Sequence, residues 1–195
     1  WMYPMDRRAF LSLFEIMPVI SATGGAEANE RTLKSASNYF NRIDAAKGRF
    51  TQFNANGSRT TGNYFLDRPG RFRFEYDKSK ALVMSDGSRV AVCDHRSNSG
   101  PESYPLRTTP LRLLVQKKVD LTTPGVAKGV SNDGTFTRVT LQDPKRPRSG
   151  TITLVFRNVP PTLVQWEVKE RSGKRTKVVL ENIDTEAKLS RTLFD

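Results

Sequence analysis

The chain of 195 residues is short of the side chains that most chemistry needs: it has one cysteine and one histidine. Cys93 alone excludes an internal disulfide framework, and a lone Cys with a lone His cannot fill a tetrahedral metal site without carboxylate help. Cys93, Asp94 and His95 are consecutive. Neighbours in a strand point to opposite faces, so Cys93 and His95 could share a face that excludes Asp94. No nucleophile elbow and no third orienting group accompany them, so no catalytic residue and no metal ligand is assigned. No glycine-rich phosphate loop precedes a helix, and no cofactor is implied. Long hydrophobic runs are missing too; the one near the N-terminus is too short for a permanent membrane anchor. Acidic residues are the remaining shortage, 20 Asp and Glu against 32 Lys and Arg, a net charge of +12. Such a balance favours polyanions, whether nucleic acid or an anionic membrane surface. The basic residues fall on alternate strand positions and form no stripe, which points to a solvated sheet face before a nucleic-acid footprint.

What is present is organised around residues 57–94. Turn signals at Gly57-Ser58, Arg68-Pro69-Gly70, Asp77 to Ser79 and Asp86-Gly87 divide this stretch into four strands. Arg71-Phe72-Arg73-Phe74-Glu75-Tyr76 alternates charged and aromatic residues, giving one wet and one apolar face, and Val90 and Val92 repeat the pattern. Upstream, Leu33, Ala36, Tyr39, Phe40 and Ile43 recur at helical spacing, predicting a helix over 29–44 that lays one face on the sheet. Strands are predicted at 47–53 and 60–66. After a loop at 95–101, Tyr104 restarts a strand. Thr109 and Pro110 suit the cap and first turn of a helix with Leu111, Leu114 and Val115 on its apolar face and Lys117-Lys118 at its end. Further strands follow at 126–131, 135–141, 151–156, around Val164, Trp166 and Val168, and at 177–183. The total is about eleven short strands and two or three helices in one domain. That suits a mainly β, α+β fold, a strongly curved antiparallel sheet closed by helices.

At the N-terminus, Met5-Asp6-Arg7-Arg8 begins a basic segment followed by an apolar run to Ile20, and Ala26-Glu27-Ala28 has the form of a cleavage site. Residues 1–28 are expected to be an export signal, Sec or twin-arginine, leaving 29–195 as the mature domain. The competing reading is an amphipathic helix of the mature protein. No cysteine follows the segment to carry a lipid anchor.

The order Phe50-Thr51-Gln52, Gly62, Arg68 to Tyr76, then Ser85-Asp86-Gly87 resembles the LolA family of periplasmic lipoprotein carriers, especially its alphaproteobacterial members. The likeness covers roughly residues 28–194. RPG and SDG are ordinary turns singly; their order and spacing carry the resemblance. It implies a soluble periplasmic chaperone, monomeric, that takes lipoprotein acyl chains from an inner-membrane ABC releasing complex to an outer-membrane acceptor. It also implies a strongly curved, incompletely closed antiparallel β-barrel of about eleven strands with a helical lid, and that Arg68 hydrogen-bonds lid backbone and holds the lid shut. The cavity is expected to be lined by Phe72, Phe74, Tyr76, Leu82, Met84, Val90, Val92, Leu111, Leu114, Val115 and Trp166. The missing anchor cysteine favours the carrier over the lipid-anchored receptor of the same pathway. The chain's end at Phe194-Asp195 lacks an extra segment found in some members, which bears on the acceptor.

Two alternatives stay open on the residues alone. One is an envelope-stress sensor of the same fold that binds lipoprotein or lipid and regulates a membrane partner. The other is a basic nucleic-acid-binding β module, with Phe72, Phe74 and Tyr76 as a stacking platform beside Arg71 and Arg73. Alternation opposes the second, because it puts rings and guanidiniums on opposite faces. An exposed apolar sheet face of this size must be covered by core, lid or ligand.

Overall fold

The computed structural model describes residues 23–94 and 100–195. Helix α1 (Thr23–Asn41) leads into β1 (Ala45–Phe53), β2 (Arg59–Asp67), β3 (Arg71–Tyr76), β4 (Leu82–Asp86), β5 (Arg89–Cys93) and β6 (Glu102–Pro105). A 3-10 turn, Leu106–Thr108, and the one-turn helix α2 (Arg112–Val115) interrupt the strands. The chain then continues as β7 (Ala127–Asn132), β8 (Phe136–Gln142), β9 (Thr151–Arg157), β10 (Thr162–Lys169) and β11 (Arg175–Asp184), with a last 3-10 turn at Arg191–Phe194. All eleven strands form one sheet in the order β6-β5-β4-β3-β2-β1-β11-β10-β9-β8-β7. Two meanders are thus joined where β1 pairs antiparallel with β11. The edges β6 and β7 do not pair with each other, so the barrel is open, as the family resemblance implied.

The curl of the sheet follows from one contact. Four pairings separate β3 from β10, which in a flat sheet at about 4.8 Å per strand would set them roughly 19 Å apart. The ring centroids of Phe74 on β3 and Trp166 on β10 are nevertheless 6.0 Å apart, edge to face. The two halves of the sheet therefore face each other across the concave side. Glycines on the central strands make room for this. Gly62 lies opposite Phe50, and a Cβ there would stand 2.8 Å from the Phe50 ring and 1.9 Å from the Glu75 carbonyl oxygen. Gly48 lies opposite Tyr64 in the same way, with the Tyr64 ring 2.8 Å from where a Cβ would be. The β1–β11 register also shifts between Lys47 and Arg49, and Asn182 in that bulge has φ +53°, a conformation Asn tolerates better than most residues. Glycine kinks and bulges are the usual devices for bending a sheet.

The elements differ from expectation in three places. α1 ends at Asn41 and not at Asp44, because Arg68 takes up the carbonyls of Phe40 and Ile43 where the helix would have continued. It also begins at Thr23, so the Ala26-Glu27-Ala28 triplet lies within a helix; residues 1–22 lie outside the described residues. α2 is one turn long and Thr109 does not cap it; the Thr109 hydroxyl donates back to the Leu106 carbonyl at 2.9 Å, and Lys117 and Lys118 lie beyond the helix. A bulge between Leu163 and Gln165 moves Val164 out of the series, so Leu163, Trp166 and Val168 share the face of Phe156, Leu154 and Ile152. Alternation cannot reveal such an insertion. Ile152 and Leu154 on β9, with Val139 and Leu141 on β8, are fully buried under α1 and α2 and form the main core.

Replacing Gly62 with Ala should force apart the Phe50 ring and the β3 backbone. We expect a loss of about 1–3 kcal/mol, the usual range for overpacking, read from the shift of the urea midpoint at unchanged m-value.

Candidate functional site

Pairing register fixes which side chains face the concave side. Phe72, Phe74 and Tyr76 lie opposite Leu66, Tyr64 and Gly62 on β2, while Phe72 and Phe74 lie opposite Ser85 and Val83 on β4. Ser85 and Val83 in turn oppose Val90 and Val92. Leu82 and Met84, expected in the cavity, instead oppose Glu75 and Arg73 and share their outer face. Leu82-Val83-Met84 is apolar at three consecutive positions, so period two could not decide its face. On that outer side the 3-10 turn Arg191–Phe194 packs against β3 and β4, Arg73 Nη1 donates to the Leu193 carbonyl at 2.9 Å, and Phe194 is fully buried. Arg71 pairs with Asp67 at 2.7 Å and Arg73 with Glu75 at 2.7 Å, while Phe72 is buried. Rings and guanidiniums therefore do not form a common platform here.

Between the concave face and the two helices lies a cavity of about 90 Å³. Of the residues expected to line it, Phe72, Phe74, Leu111, Leu114, Val115 and Trp166 do so, with Arg68 at its rim. Tyr76, Val90 and Val92 are on the concave side but outside the cavity. Tyr76 packs edge-on against Phe50 and donates to Gln52 Oε1 at 2.8 Å, and Val90 sits in a small core with Phe72, Leu106 and Val115. Sequence reasoning did not assign Tyr39, Phe40, Ile43, Tyr64, Leu66, Leu163, Leu180 and Ile183 to the lining. The first three were legible as the apolar face of α1. The alternation Gly62, Tyr64, Leu66 would have found two more.

Burial raises the pKa of the Tyr39 and Tyr64 phenols above the ordinary value, and pushes that of Tyr76 up to about 12. These rings stay neutral at any physiological pH. The Tyr64 hydroxyl is buried without a hydrogen-bond partner among the described residues.

The roof is held by polar groups at its edges. A helix C-terminus leaves carbonyls without intrahelical partners, and Arg68, at the β2–β3 turn, serves carbonyls at the ends of both roof helices at once. Its Nη1 donates to the carbonyls of Phe40 and, at 3.2 Å, Ile43 at the end of α1. Its Nη2 donates to the carbonyls of Gln116 at 2.7 Å and Lys117 at 3.2 Å just after α2. The main chain of the same turn joins in: Arg68 N–H donates to the Asp44 carbonyl at 2.8 Å and Gly70 N–H to the Val115 carbonyl at 2.7 Å. Desolvation pulls the guanidinium's pKa down, opposed by the nearby Asp44, and the group remains a cation. The two parts of the roof are also stitched to each other. Asn41 Nδ2 donates to the Val119 carbonyl at 2.8 Å and its Oδ1 accepts from Val119 N–H at 2.9 Å, while Ser37 Oγ accepts from Leu121 N–H at 2.9 Å. On the opposite side, Arg112 Nε of α2 stands 3.2 Å from the buried carboxylate of Asp143.

Cys93 lies opposite Leu82 and is half-buried, and His95 lies outside the described residues. Among the described residues no cluster of three or more His, Cys, Asp or Glu is placed to hold a metal, and no helix is long and apolar enough to cross a membrane.

A curled antiparallel sheet with an aromatic concave face, roofed by helices latched at their ends, defines a binding protein of the open-barrel-and-lid class. Residues 41–195 match the family described as outer membrane lipoprotein carrier protein LolA, and the chain belongs to that family. It is 26% identical over 187 residues to an outer-membrane lipoprotein carrier protein of Methylibium petroleiphilum, covering 89% of this chain and 87% of that one. Among solved structures it is similar to a DUF1329 family protein of Desulfovibrio piger, with 11% identity, TM-score 0.50, and 86% and 96% of the two chains covered. It is also similar to a LolA superfamily protein of Nitrosomonas europaea, with 11% identity, TM-score 0.46, and 84% and 97% covered.

Replacing Arg68 with Lys keeps the charge but not the two-armed fork, so one ammonium cannot bridge both helix ends. We expect residues 111–121 to lose amide-exchange protection by at least about tenfold, the worth of a single charge-assisted bond, while the β9 amides keep theirs.

Proposed function

We propose that this chain is a periplasmic carrier that holds the acyl chains of lipoproteins between its sheet and its helical roof. It carries them from an inner-membrane ABC releasing complex to an outer-membrane acceptor. The observation that carries this reading is a predominantly apolar cavity whose two roof helices are both tied to the sheet by donors from a single turn. Export through the signal in residues 1–28, action as a monomer and a role without catalysis belong to the same proposal.

The cavity of about 90 Å³ is below the roughly 300–1,000 Å³ of ordinary ligand pockets, so an acyl chain enters only if the roof lifts. Burial is worth about 0.8 kcal/mol per CH₂, or roughly 12 kcal/mol for a long chain taken from water. A rigid cavity that kept all of that would not let its cargo go. The packed roof is a competing state that opposes cargo and returns when cargo leaves. Arg68 sets the strength of that competitor, because among the described residues its side chain alone reaches both parts of the roof from the sheet.

The mature protein should take an acylated lipoprotein from inner-membrane vesicles into a soluble one-to-one complex, and leave the unacylated form unbound. Equal binding of both forms would refute the assignment. Replacing Arg68 with Leu should preserve loading but slow hand-over to acceptor membranes by tenfold or more, since losing bonds of about 1.5–3 kcal/mol each shifts the balance toward the filled form. Unchanged release would leave Arg68 a structural turn residue.

A further inference from the structure

A second, polar groove of about 560 Å³ lies on the other side of the latch. Arg89, Arg107 and Arg112 line it together with Pro69, Gly70 and Gln116, and no carboxylate is among its lining residues. Val115 lines both this groove and the apolar cavity, and the Gly70 N–H to Val115 carbonyl bond at 2.7 Å is part of the wall between them. Gln116, whose carbonyl Arg68 holds at 2.7 Å, lines the groove as well. When the roof lifts, the contact that separates the two spaces is the contact that breaks.

The arginines are only partly committed. Arg89 donates from Nε to Ser103 Oγ at 2.8 Å and from Nη2 to the Ser103 carbonyl at 3.0 Å, leaving other donors of the fork free. Arg107 is exposed and makes no ion pair among the described residues. Arg112 stands 3.2 Å from the carboxylate of Asp143, which does not line the groove. The other nearby carboxylate, Asp86, is turned into its own hairpin, where it accepts from Ser88 and Arg89 N–H at 2.7 and 2.9 Å.

We propose that groove and cavity are one site for a diacyl lipid with an anionic phosphate head. The head lies among Arg89, Arg107 and Arg112, and the chains pass under α2. Arg68 is the group that changes partners: it gives up the Gln116 and Lys117 carbonyls as the roof lifts, and the phosphate offers its fork acceptors in their place. An anionic head thus favours the open arrangement that its own chains require, a differential interaction of the kind that shifts a two-state balance. This inference rests on the carrier reading and adds phospholipid to its cargo.

The full mature chain would be incubated with vesicles of equimolar phosphatidylglycerol and phosphatidylcholine bearing identical acyl chains, and the ratio of the two lipids in the soluble complex measured. Using one mixed vesicle removes the attraction of a basic protein to an anionic surface as a cause of any preference. We expect phosphatidylglycerol to be favoured by at least about tenfold, and the Arg89→Gln, Arg107→Gln double variant to bring the ratio below about threefold. The Lys128→Gln, Lys174→Gln variant, which loses the same charge away from the groove, should keep the wild-type ratio. A ratio near one, or an unchanged ratio in the double variant, overturns the proposal. Uptake of neither lipid overturns it too, and acylated-lipoprotein loading measured in parallel shows whether the carrier reading falls with it. Binding of inorganic phosphate as tight as that of the lipid would also overturn it, by separating the head site from the chains.

Discussion

One guanidinium reaches both ends of the roof. The carbonyls at a helix C-terminus carry the negative end of the helix dipole and need donors, and here two such ends converge on Arg68 from either side. A lysine has no planar fork with which to do this, and a donor on either helix would tie the helices to each other without tying them to the sheet. The turn that presents Arg68 is itself constrained: Gly70 has φ +78° and lies so close to Gly87 that a Cβ would stand 2.6 Å from the Gly87 Cα. The latch is therefore mounted where two hairpin turns, β2–β3 and β4–β5, touch.

What the latch closes depends on the bend of the sheet. Phe50 over Gly62 and Tyr64 over Gly48 place large rings on the concave side where the strands curve around them, and Phe74 meets Trp166 across the opening. Flattening the sheet would part these rings and leave a broad aromatic face in water. Curvature and lid are thus two answers to the same exposure problem: the bend narrows the apolar face, and α1 and α2 cover what remains. The aromatic cluster also explains why the interior is so small. Edge-to-face contacts fill most of the space that the bend encloses.

The sequence was most legible where polarity alternates. Arg71 to Tyr76 named its inner and outer faces correctly, and Gly57, Gly70 and Gly87 marked their turns, because a Gly at positive φ has few substitutes. Legibility failed where alternation was absent or interrupted. Leu82-Val83-Met84 gave no polar reference, and only the pairing with Arg73 and Glu75 showed that its outer members leave the cavity. The β10 bulge displaced Val164 by one residue, an event with no local signature. The length of α1 was misjudged because its end is set by Arg68, 27 residues beyond Asn41, with which it makes a 3.4 Å contact. Tertiary capping is invisible to local spacing. Arg68 itself became noteworthy only through family resemblance, since an arginine before Pro-Gly is otherwise an ordinary turn residue.

In the proposed role, the latch need not rival the full hydrophobic energy of an acyl chain. The roughly 12 kcal/mol for a long chain measures transfer from water, whereas a carried chain starts in one bilayer and ends in another. Membrane and cavity are both apolar, so most of that term appears at both ends of the journey and cancels. What remains is the difference in packing between lipid tails and a wall of aromatic rings, set against the cost of lifting α1 and α2 from the sheet. A handful of hydrogen bonds at about 0.5–3 kcal/mol each is commensurate with such a residue of energy. A much stronger closure would exclude cargo, and none would leave the aromatic face to hold it. A cluster of donors on one turn, acting on helix ends whose carbonyls water can also satisfy, falls between these limits.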